Sequence, residues 1–201
     1  MDQKTQEDRA LEIIRGMGIL RSGQLEEFQI PRMVLSRLLE KGKIERIEHG
    51  LYMPVDQGAG EMETVALAAR KVPGGVVCLL SALSYHGLTT EIPHQVWMAI
   101  DRNKPVPKLE FLPVRLFRFS GDSYGTGILT VPMQGRDVSV YSPAKTVADC
   151  FKFRNRIGTD VAVEALRDCL QQRKCSRDDL WRFAKIDRVQ NVMLPYLEAT
   201  A

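Results

Sequence analysis

The stretch from Ile30 to Met53 constrains the fold more than any other, because it combines a helix pattern with a hairpin pattern. Pro31 suits the start of a helix, where its missing N–H is not needed. Gly42 suits the end, where a positive φ is common. Between them, apolar residues recur at helical spacing and predict one buried face, made by Val34, Leu35, Leu38 and Leu39.

Two further helix patterns precede this stretch. Residues Thr5 to Met17 carry an apolar stripe, and Ser22 is a suitable N-cap for a second helix over Gly23 to Phe28. After the third helix, a hairpin is predicted with its turn at His49-Gly50. The resulting order of elements is that of a winged helix-turn-helix domain, whose third helix enters the major groove of DNA while its hairpin touches the neighbouring backbone.

Basic charge is concentrated in the predicted third helix and hairpin. Residues 1–55 carry nine Lys or Arg and nine Asp or Glu, so this segment is neutral as a whole. Residues 32–46 carry five basic and two acidic side chains. The net charge of the chain, +3, is weak evidence for a nucleic-acid partner by itself. The local excess therefore matters more, and it favours a DNA-contacting surface.

Seven side chains of this segment are candidates for DNA contact. Arg is the best reader of guanine and Ser can bind bases or phosphates, so we expect base contacts from Arg32, Ser36 and Arg37. Contacts to phosphates, which position a protein without reading sequence, are expected from Lys41, Lys43 and Arg46. His49, in the hairpin turn, is expected near the minor groove or the backbone. The alternative is that these charges only solvate an exposed face.

A segment rich in Gly and Pro, Pro54 to Glu61, predicts a boundary between two domains. We place a winged helix-turn-helix domain at residues 1–55 and a second domain at residues 61–201. The predicted class is α+β. The second domain is expected to hold a small, antiparallel-rich sheet followed by a helical tail that starts at Ser142-Pro143.

Several classes of protein are disfavoured by the composition. The first ten residues are polar and no apolar run is long enough to span a membrane, so we expect a cytoplasmic protein. The four cysteines lack the CxxC spacing of metal or redox motifs and are expected as reduced thiols: Cys78, Cys150, Cys169 and Cys175. We expect neither a metal nor a cofactor.

Four sequence segments, in this order, resemble a known family. They are EHGLYMPV, LLSALSYHGLT, HQVWMAID and VYSPAKTVADCF, which span residues 48–55, 79–89, 94–101 and 140–151. Together they are similar to the AbiEi-type antitoxins and their transcriptional-regulator relatives. The similarity lies in the combination and spacing of the segments, because none of them is specific alone.

The resemblance implies a function for each domain. The winged helix would bind inverted repeats in the promoter of its own operon as a repressor. Palindromic operators require two copies, either a dimer or monomers that pair on DNA. The second domain would counter a nucleotidyltransferase-class toxin without forming a stable complex, and some relatives act as regulators without a toxin. A second basic surface, for DNA contact or antitoxin action, could comprise Arg115, Arg118, Arg154 and Arg156.

Other residue patterns in the chain bear on alternative functions. Asp101-Arg102-Asn103-Lys104 follows a predicted strand and faintly resembles a metal-dependent nuclease, but a second carboxylate cannot be placed. Ser84 and His86 would point apart on a helix, which argues against a nucleophile and its base. Gly121 to Gly127 lacks the Lys-Ser/Thr of a phosphate-binding loop and is expected as a hairpin loop. A winged helix that contacts only protein is a further alternative to DNA binding.

Overall fold

The computed structural model describes residues 5–17, 19–55, 61–91, 93–107, 109 and 113–200. The chain divides into two compact units, one comprising Met1–Leu67 with Leu109–Leu112, the other Ala68–Lys108 with Pro113–Ala201. Both units combine helices with a sheet, which confirms the predicted α+β class. The domain limits placed at residues 55 and 61 stay a prediction.

The first unit begins with a small three-stranded sheet and the helices that pack on it. In chain order its elements are α1 (Gln6–Met17), β1 (Leu20–Arg21), a 3₁₀ helix (Ser22–Glu26), α2 (Met33–Glu40), β2 (Ile44–Glu48) and β3 (Leu51–Pro54). β3 lies between β1 and β2 and is antiparallel to both. The predicted hairpin with its turn at His49-Gly50 is therefore confirmed.

One apolar core joins these elements. α1 contributes Ala10 and Ile14, and α2 contributes Val34, Leu35 and Leu38, each of them at most 2% exposed. Spacings of three and four residues place such side chains on one side of a helix. The cluster is completed by Leu20, Leu25, Ile30 and Ile44. Burial of one stripe of α2 leaves the opposite side of this helix facing outward.

The second helix differs from its prediction in type and in cap. A 3₁₀ helix forms where an α-helix was expected over Gly23 to Phe28. Its cap lies one residue before Ser22, since the N–H of Arg21 donates to Oε1 of Gln24 at 2.8 Å. The following turns keep i→i+3 hydrogen bonds. Such tight turns are normally used only in short pieces, which explains the early end.

The bounds of α2 also differ slightly from expectation. The helix begins at Met33, two residues after Pro31, whose carbonyl accepts the N–H of Val34 at 3.0 Å. Arg32 takes the N-cap position and already has helical backbone angles. Gly42 follows the helix with φ of +60°, as its prediction required.

The second unit contains a five-stranded mixed sheet. Its strands are β4 (Val76–Val77), β5 (Val96–Asp101), β6 (Val114–Phe119), β7 (Ile128–Met133) and β8 (Arg136–Tyr141), in the order β6-β5-β4-β8-β7. The pairs β4–β5 and β7–β8 are antiparallel, whereas β5–β6 and β4–β8 are parallel. The prediction of an antiparallel-rich sheet is therefore wrong. Side-chain alternation predicts the face of a strand but not the direction of its neighbour.

Helices account for most of the remaining described residues. They are α3 (Glu61–Lys71), α4 (Leu79–His86), α5 (Asp122–Gly125), α6 (Pro143–Lys152), α7 (Arg154–Ile157), α8 (Thr159–Gln171), α9 (Arg177–Ile186) and α10 (Gln190–Ala199). The predicted helical tail is confirmed by α6 to α10, and α6 starts at the predicted Ser142-Pro143. The expected hairpin loop over Gly121 to Gly127 is instead occupied largely by α5.

The cysteines correct another expectation. Cys169, in α8, and Cys175, shortly after that helix, are joined by a disulfide, so the prediction of four reduced thiols is wrong for this pair. Cys78 and Cys150 are free and buried, as expected. The bonded cysteines are six positions apart, and this spacing does not by itself indicate the turn after α8 that brings the two sulfurs together.

A network of charged side chains lies inside the second unit. On α6, the ammonium of Lys145 contacts the carboxylate of Asp149 and lies 3.2 Å from Oδ2 of Asp187, and the three side chains are fully buried. Asp187 Oδ1 lies 3.1 Å from Nζ of Lys152 and accepts the hydroxyl of Ser123 at 2.6 Å. The network thus connects α5, α6 and the residue that follows α9.

The pKa values of the two aspartates in this network are shifted in opposite directions. Burial raises the pKa of Asp149 well above its ordinary value, although Lys145 opposes the effect. Oδ2 of Asp149 finds no hydrogen-bond partner within the described part of the chain. Burial acts on Asp187 in the same direction, but Lys145, Ser123 and Lys152 outweigh it and hold the pKa of Asp187 below its ordinary value. The fold therefore favours the charged form of Asp187 more than that of Asp149.

We expect Asp187→Asn to lower the free energy of unfolding at pH 7 by about 3 kcal/mol or more, because it breaks a buried ion pair. Asp149→Asn should cost only about 1 kcal/mol, since a neutral side chain suits that position. Urea denaturation of both variants measures the difference. Asp187 stabilises above the pKa of an unfolded aspartate, about 3.9, so the gap between wild type and Asp187→Asn should close as the pH falls below about 4. Equal losses for the two variants would contradict this assignment.

Gly127 lies against the buried network. A Cβ atom on this residue would lie 2.8 Å from Cβ of Lys145 and 2.9 Å from the ring of Phe183. Gly135 has almost the same φ, +71° against +72°, but a Cβ there would meet nothing within 4 Å. Alanine variants of the two glycines therefore distinguish the free-energy cost of close packing from the free-energy cost of a positive φ.

Gly135→Ala should reduce the free energy of unfolding by about 1 kcal/mol, the usual cost of this backbone conformation for an L-residue. Gly127→Ala carries the same cost and in addition overpacks the core, so its loss should be larger by about 1–3 kcal/mol. Urea denaturation at pH 7 measures both. A Gly127→Ala variant as stable as Gly135→Ala would show that Lys145 and Phe183 move aside freely.

Candidate nucleic-acid interface

The outward side of α2 carries a compact set of polar side chains. Its exposed residues are Met33, Ser36, Arg37 and Glu40, while the buried stripe occupies the opposite side. Residues three and four positions apart are neighbours on a helix surface. Ser36 and Arg37, two of the predicted base-reading residues, are three and four positions from Met33 and therefore flank it on the exposed face.

Arg32 lies at the N-terminal end of the same helix. Its Nη2 atom forms an ion pair of 2.7 Å with Oε1 of Glu26, and the two side chains are 61% and 64% exposed. An ion pair this exposed contributes at most about 1 kcal/mol. A phosphate or a guanine edge can therefore compete with Glu26 for the guanidinium.

Lys41 and Lys43 follow α2. Nζ of Lys41 lies 2.5 Å from Oε2 of Glu7, which connects the C-terminal end of α2 to α1. Lys43 is exposed, and its backbone is held by hydrogen bonds to Leu38 and Val55 at 2.9 and 3.1 Å. The position of Lys43 is thus set by the main chain while its side chain faces outward.

The hairpin brings two further candidates together. Arg46 is exposed on β2, and its Nη2 atom lies 2.5 Å from Nδ1 of His49 in the turn. The strands next to the turn pair with an irregularity in register between Arg46 and Glu48. The basic side chain and the imidazole therefore form one polar group beside the hairpin turn.

Acidic side chains moderate this surface. Glu26 and Glu7 already pair with two of the candidate basic residues. Glu40 is exposed on the same side of α2 as Arg37, and Glu45 is exposed on β2. The positive charge available to a polyanion is consequently smaller than the number of Lys and Arg side chains suggests.

Sequence reasoning missed one residue of the exposed face, Met33. Its side chain is 58% exposed, the highest value among the large exposed hydrophobics of the described residues. The helical pattern contained a signal for it, because Met33 falls outside the buried stripe even though it is apolar.

The four arginines of the predicted second surface have different environments. Arg115 and Arg118 are three residues apart on β6, so they project from opposite faces of the sheet. The guanidinium of Arg115 stacks 4.6 Å from the ring centroid of Trp97. Arg118 donates to the carbonyl oxygens of Arg102 and Lys104 at 2.6 and 3.1 Å. These two side chains do not share one face of β6.

The other two arginines make separate contacts in the second unit. Arg154 donates to the carbonyl of Phe151 at 2.9 Å, and the guanidinium of Arg156 lies 5.9 Å from the ring centroid of Phe153. Phe153 packs against Phe117, which lies beside Arg115. Arg115 and Arg156 thus border the same aromatic group. A common surface of all four arginines stays a prediction.

The segment considered for nuclease chemistry forms a local turn. Oδ1 of Asp101 accepts the N–H of Asn103 at 2.7 Å, and the N–H of Lys104 donates to the carbonyl of Asp101 at 3.0 Å. Among the described residues, His, Cys, Asp and Glu side chains form no group of three or more suited to a metal ion.

Comparison with known proteins supports the regulatory interpretation of the first unit. Residues 8–55 match a family model described as "Transcriptional regulator, AbiEi antitoxin". The match covers most of α1, all of α2 and the three strands of the first sheet, and over this range it confirms the resemblance found in the sequence. No curated protein matches the chain.

A solved structure resembles a larger part of the chain. The crystal structure of the RV2827C protein from Mycobacterium tuberculosis aligns with a TM-score of 0.58 and 14% sequence identity, covering 92% of this chain and 72% of that one. At this identity the similarity concerns the fold alone.

No helix within the described ranges is both long and apolar enough to cross a bilayer.

Proposed function

We propose that residues 1–55 form a winged helix-turn-helix domain that binds double-stranded DNA as a transcriptional regulator. The observation that carries this proposal is the exposed polar face of α2 beside the β2–β3 hairpin, within the segment that matches a regulator family. The elements follow the winged-helix order, with the 3₁₀ helix in place of the second helix. In this arrangement α2 enters the major groove and the hairpin approaches the neighbouring backbone.

The placement of each side chain suggests its role on DNA. Arg37 and Ser36 project from the centre of α2 and contact base edges, and Arg32 reaches a base or a phosphate when it leaves Glu26. Phosphate contacts come from Lys41, Lys43 and Arg46, which border the helix and the hairpin. His49, in the hairpin turn, contacts the DNA backbone or the minor groove.

The operator is an inverted repeat in the promoter of the protein's own operon. Two copies, paired as a dimer or only on DNA, bind its two half-sites. Each copy contributes a small positive surface, so binding of both half-sites is required for useful affinity. The protein acts in the cytoplasm, with no membrane attachment and no cofactor.

The residues from 61 to 201 form the second domain, which serves as the antitoxin of a type IV pair. Its partner is a toxin of the nucleotidyltransferase class, countered without a stable complex. Arg115 and Arg156, which border one aromatic group, are the basic side chains best placed together for this activity or for added DNA contact. A regulator without any toxin is the alternative, and the role is regulatory, not catalytic.

Arg37→Ala should weaken binding to a preferred duplex about 5- to 150-fold and relax the preference for one base pair, because a base contact is lost. Lys43→Ala should weaken binding less, and equally for preferred and unrelated duplexes. The duplex is selected from a random library with the full chain, and dissociation constants are measured by fluorescence anisotropy. Arg167→Ala, an exposed arginine on α8, is the matched control and should leave binding unchanged.

Failure of the full chain to enrich any duplex would overturn the DNA-binding proposal. Binding that is insensitive to salt and survives Arg32→Ala combined with Arg37→Ala would also overturn it, because phosphate contacts must weaken as salt rises. That second outcome would instead favour a winged helix used for protein contact.

The two proposed activities should separate in cells. With a reporter under the operon's own promoter, the full chain should repress, and the Arg32→Ala, Arg37→Ala double variant should not. If the neighbouring gene encodes a nucleotidyltransferase that arrests growth, co-expression of either protein should restore growth, since the second domain is intact in both. Arrest that the wild-type chain cannot relieve would leave a regulator without an antitoxin role.

A further inference from the structure

Met33 is the first residue of α2 and, viewed along the helix axis, points along the middle of the exposed face. Successive residues of an α-helix are rotated by about 100°. By this spacing Ser36 and Arg37 lie on either side of Met33, and Glu40 lies close to its direction two turns later. The buried residues of the helix point to the other side. The centre of a polar face is thus taken by a large apolar side chain.

The core of the first unit does not account for this methionine. Its side chain is 58% exposed, whereas Val34 and Leu35, the next two residues, are at most 2% exposed. A single exposed apolar residue is unremarkable on most protein surfaces. Here the position matters, because Met33 is the first residue of the helix proposed to read DNA, and the N-terminal residues of such helices contact base edges.

We infer that Met33 is a specificity-determining residue that packs against the 5-methyl group of a thymine in the major groove. This inference rests on the proposed DNA-binding function. The thymine methyl is the one apolar group on base edges in that groove, and small or apolar side chains recognise it by contact. The thioether side chain is unbranched and polarisable, so it adapts to a methyl group between two neighbouring bases.

The polar neighbours complete this mode of recognition. Arg37 and Ser36 supply hydrogen bonds to the bases adjacent to the thymine, while Met33 supplies the apolar contact. Met33 brings no charge, so its contribution depends on the identity of the base and not on phosphate. The preferred sequence therefore has a thymine next to the base pair read by Arg37.

The test replaces each thymine of a duplex selected by the full-length wild-type chain with deoxyuridine, which lacks only the 5-methyl group. Replacement of the contacted thymine in one half-site should weaken binding by the wild type about fourfold, the effect of removing one buried methyl. Met33→Ala and Met33→Gln should bind thymine and deoxyuridine duplexes equally, and Met33→Leu should keep part of the discrimination. Leu194→Ala, an exposed apolar residue of α10, should discriminate as the wild type does.

The outcomes separate this inference from the function on which it rests. If no duplex is enriched, the DNA-binding proposal itself fails. If a duplex binds tightly but no deoxyuridine substitution matters, or if Met33→Ala discriminates as strongly as wild type, only the role of Met33 is overturned. The role of Met33 is also overturned if the selected duplexes share no thymine position. Circular dichroism checks that the Met33 variants fold.

Discussion

Burial of one apolar stripe on α2 decides what the rest of the first unit can do. Val34, Leu35 and Leu38 pack into the core together with side chains of α1 and the short sheet. A helix of eight residues would be marginal in isolation, so this packing is what holds it in place. Because the stripe can be buried in only one orientation, it also sets the direction of Met33, Ser36 and Arg37. A weakened core would misdirect all three at once.

The second unit is held together by a different kind of constraint. Its apolar core is large, but charged side chains of α6 lie inside it, and two of them, Lys145 and Lys152, pair with Asp187 at the end of α9. Such an arrangement tolerates little displacement, because each buried charge needs its partner at close range. An element that carried Asp187 away from α6 would separate it from Lys145 and Lys152 and leave its charge unpaired in an apolar environment, so the helices around the network are expected to move as one body.

Local patterns predicted most of the first unit. The periodicity of α1 and α2, Gly42 and the His49-Gly50 turn are encoded within short windows, so their elements could be placed from the residues alone. Two features depend on distant parts of the chain: Asp187 meets Lys145 across 42 positions, and the parallel pairing of β5 with β6 depends on the path between them. A third is local, because the partner of Cys169 lies six positions away, but the turn after α8 that joins the two sulfurs could not be recognised from the residues. None of these pairings produces a periodic pattern in the sequence.

The candidate interface shows the same division between local and distant information. Exposure of Arg37 and Ser36 follows from helical spacing, but the ion pairs of Arg32 and Lys41 depend on Glu26 and Glu7, which belong to other elements. Sequence reasoning did not identify these two acidic partners. It also assigned no role to Met33, although this residue falls outside the buried stripe.

The ion pair between Lys41 and Glu7 has a consequence for how binding would respond to dissolved ions. A basic side chain strengthens binding to DNA largely by displacing cations condensed on the phosphates. Lys41 must first leave Glu7, and the freed carboxylate then attracts a cation of its own, so the net number of ions released is smaller. The exchange at Arg32 and Glu26 acts in the same way. A count of basic residues would therefore overestimate the cations released when each copy binds its half-site.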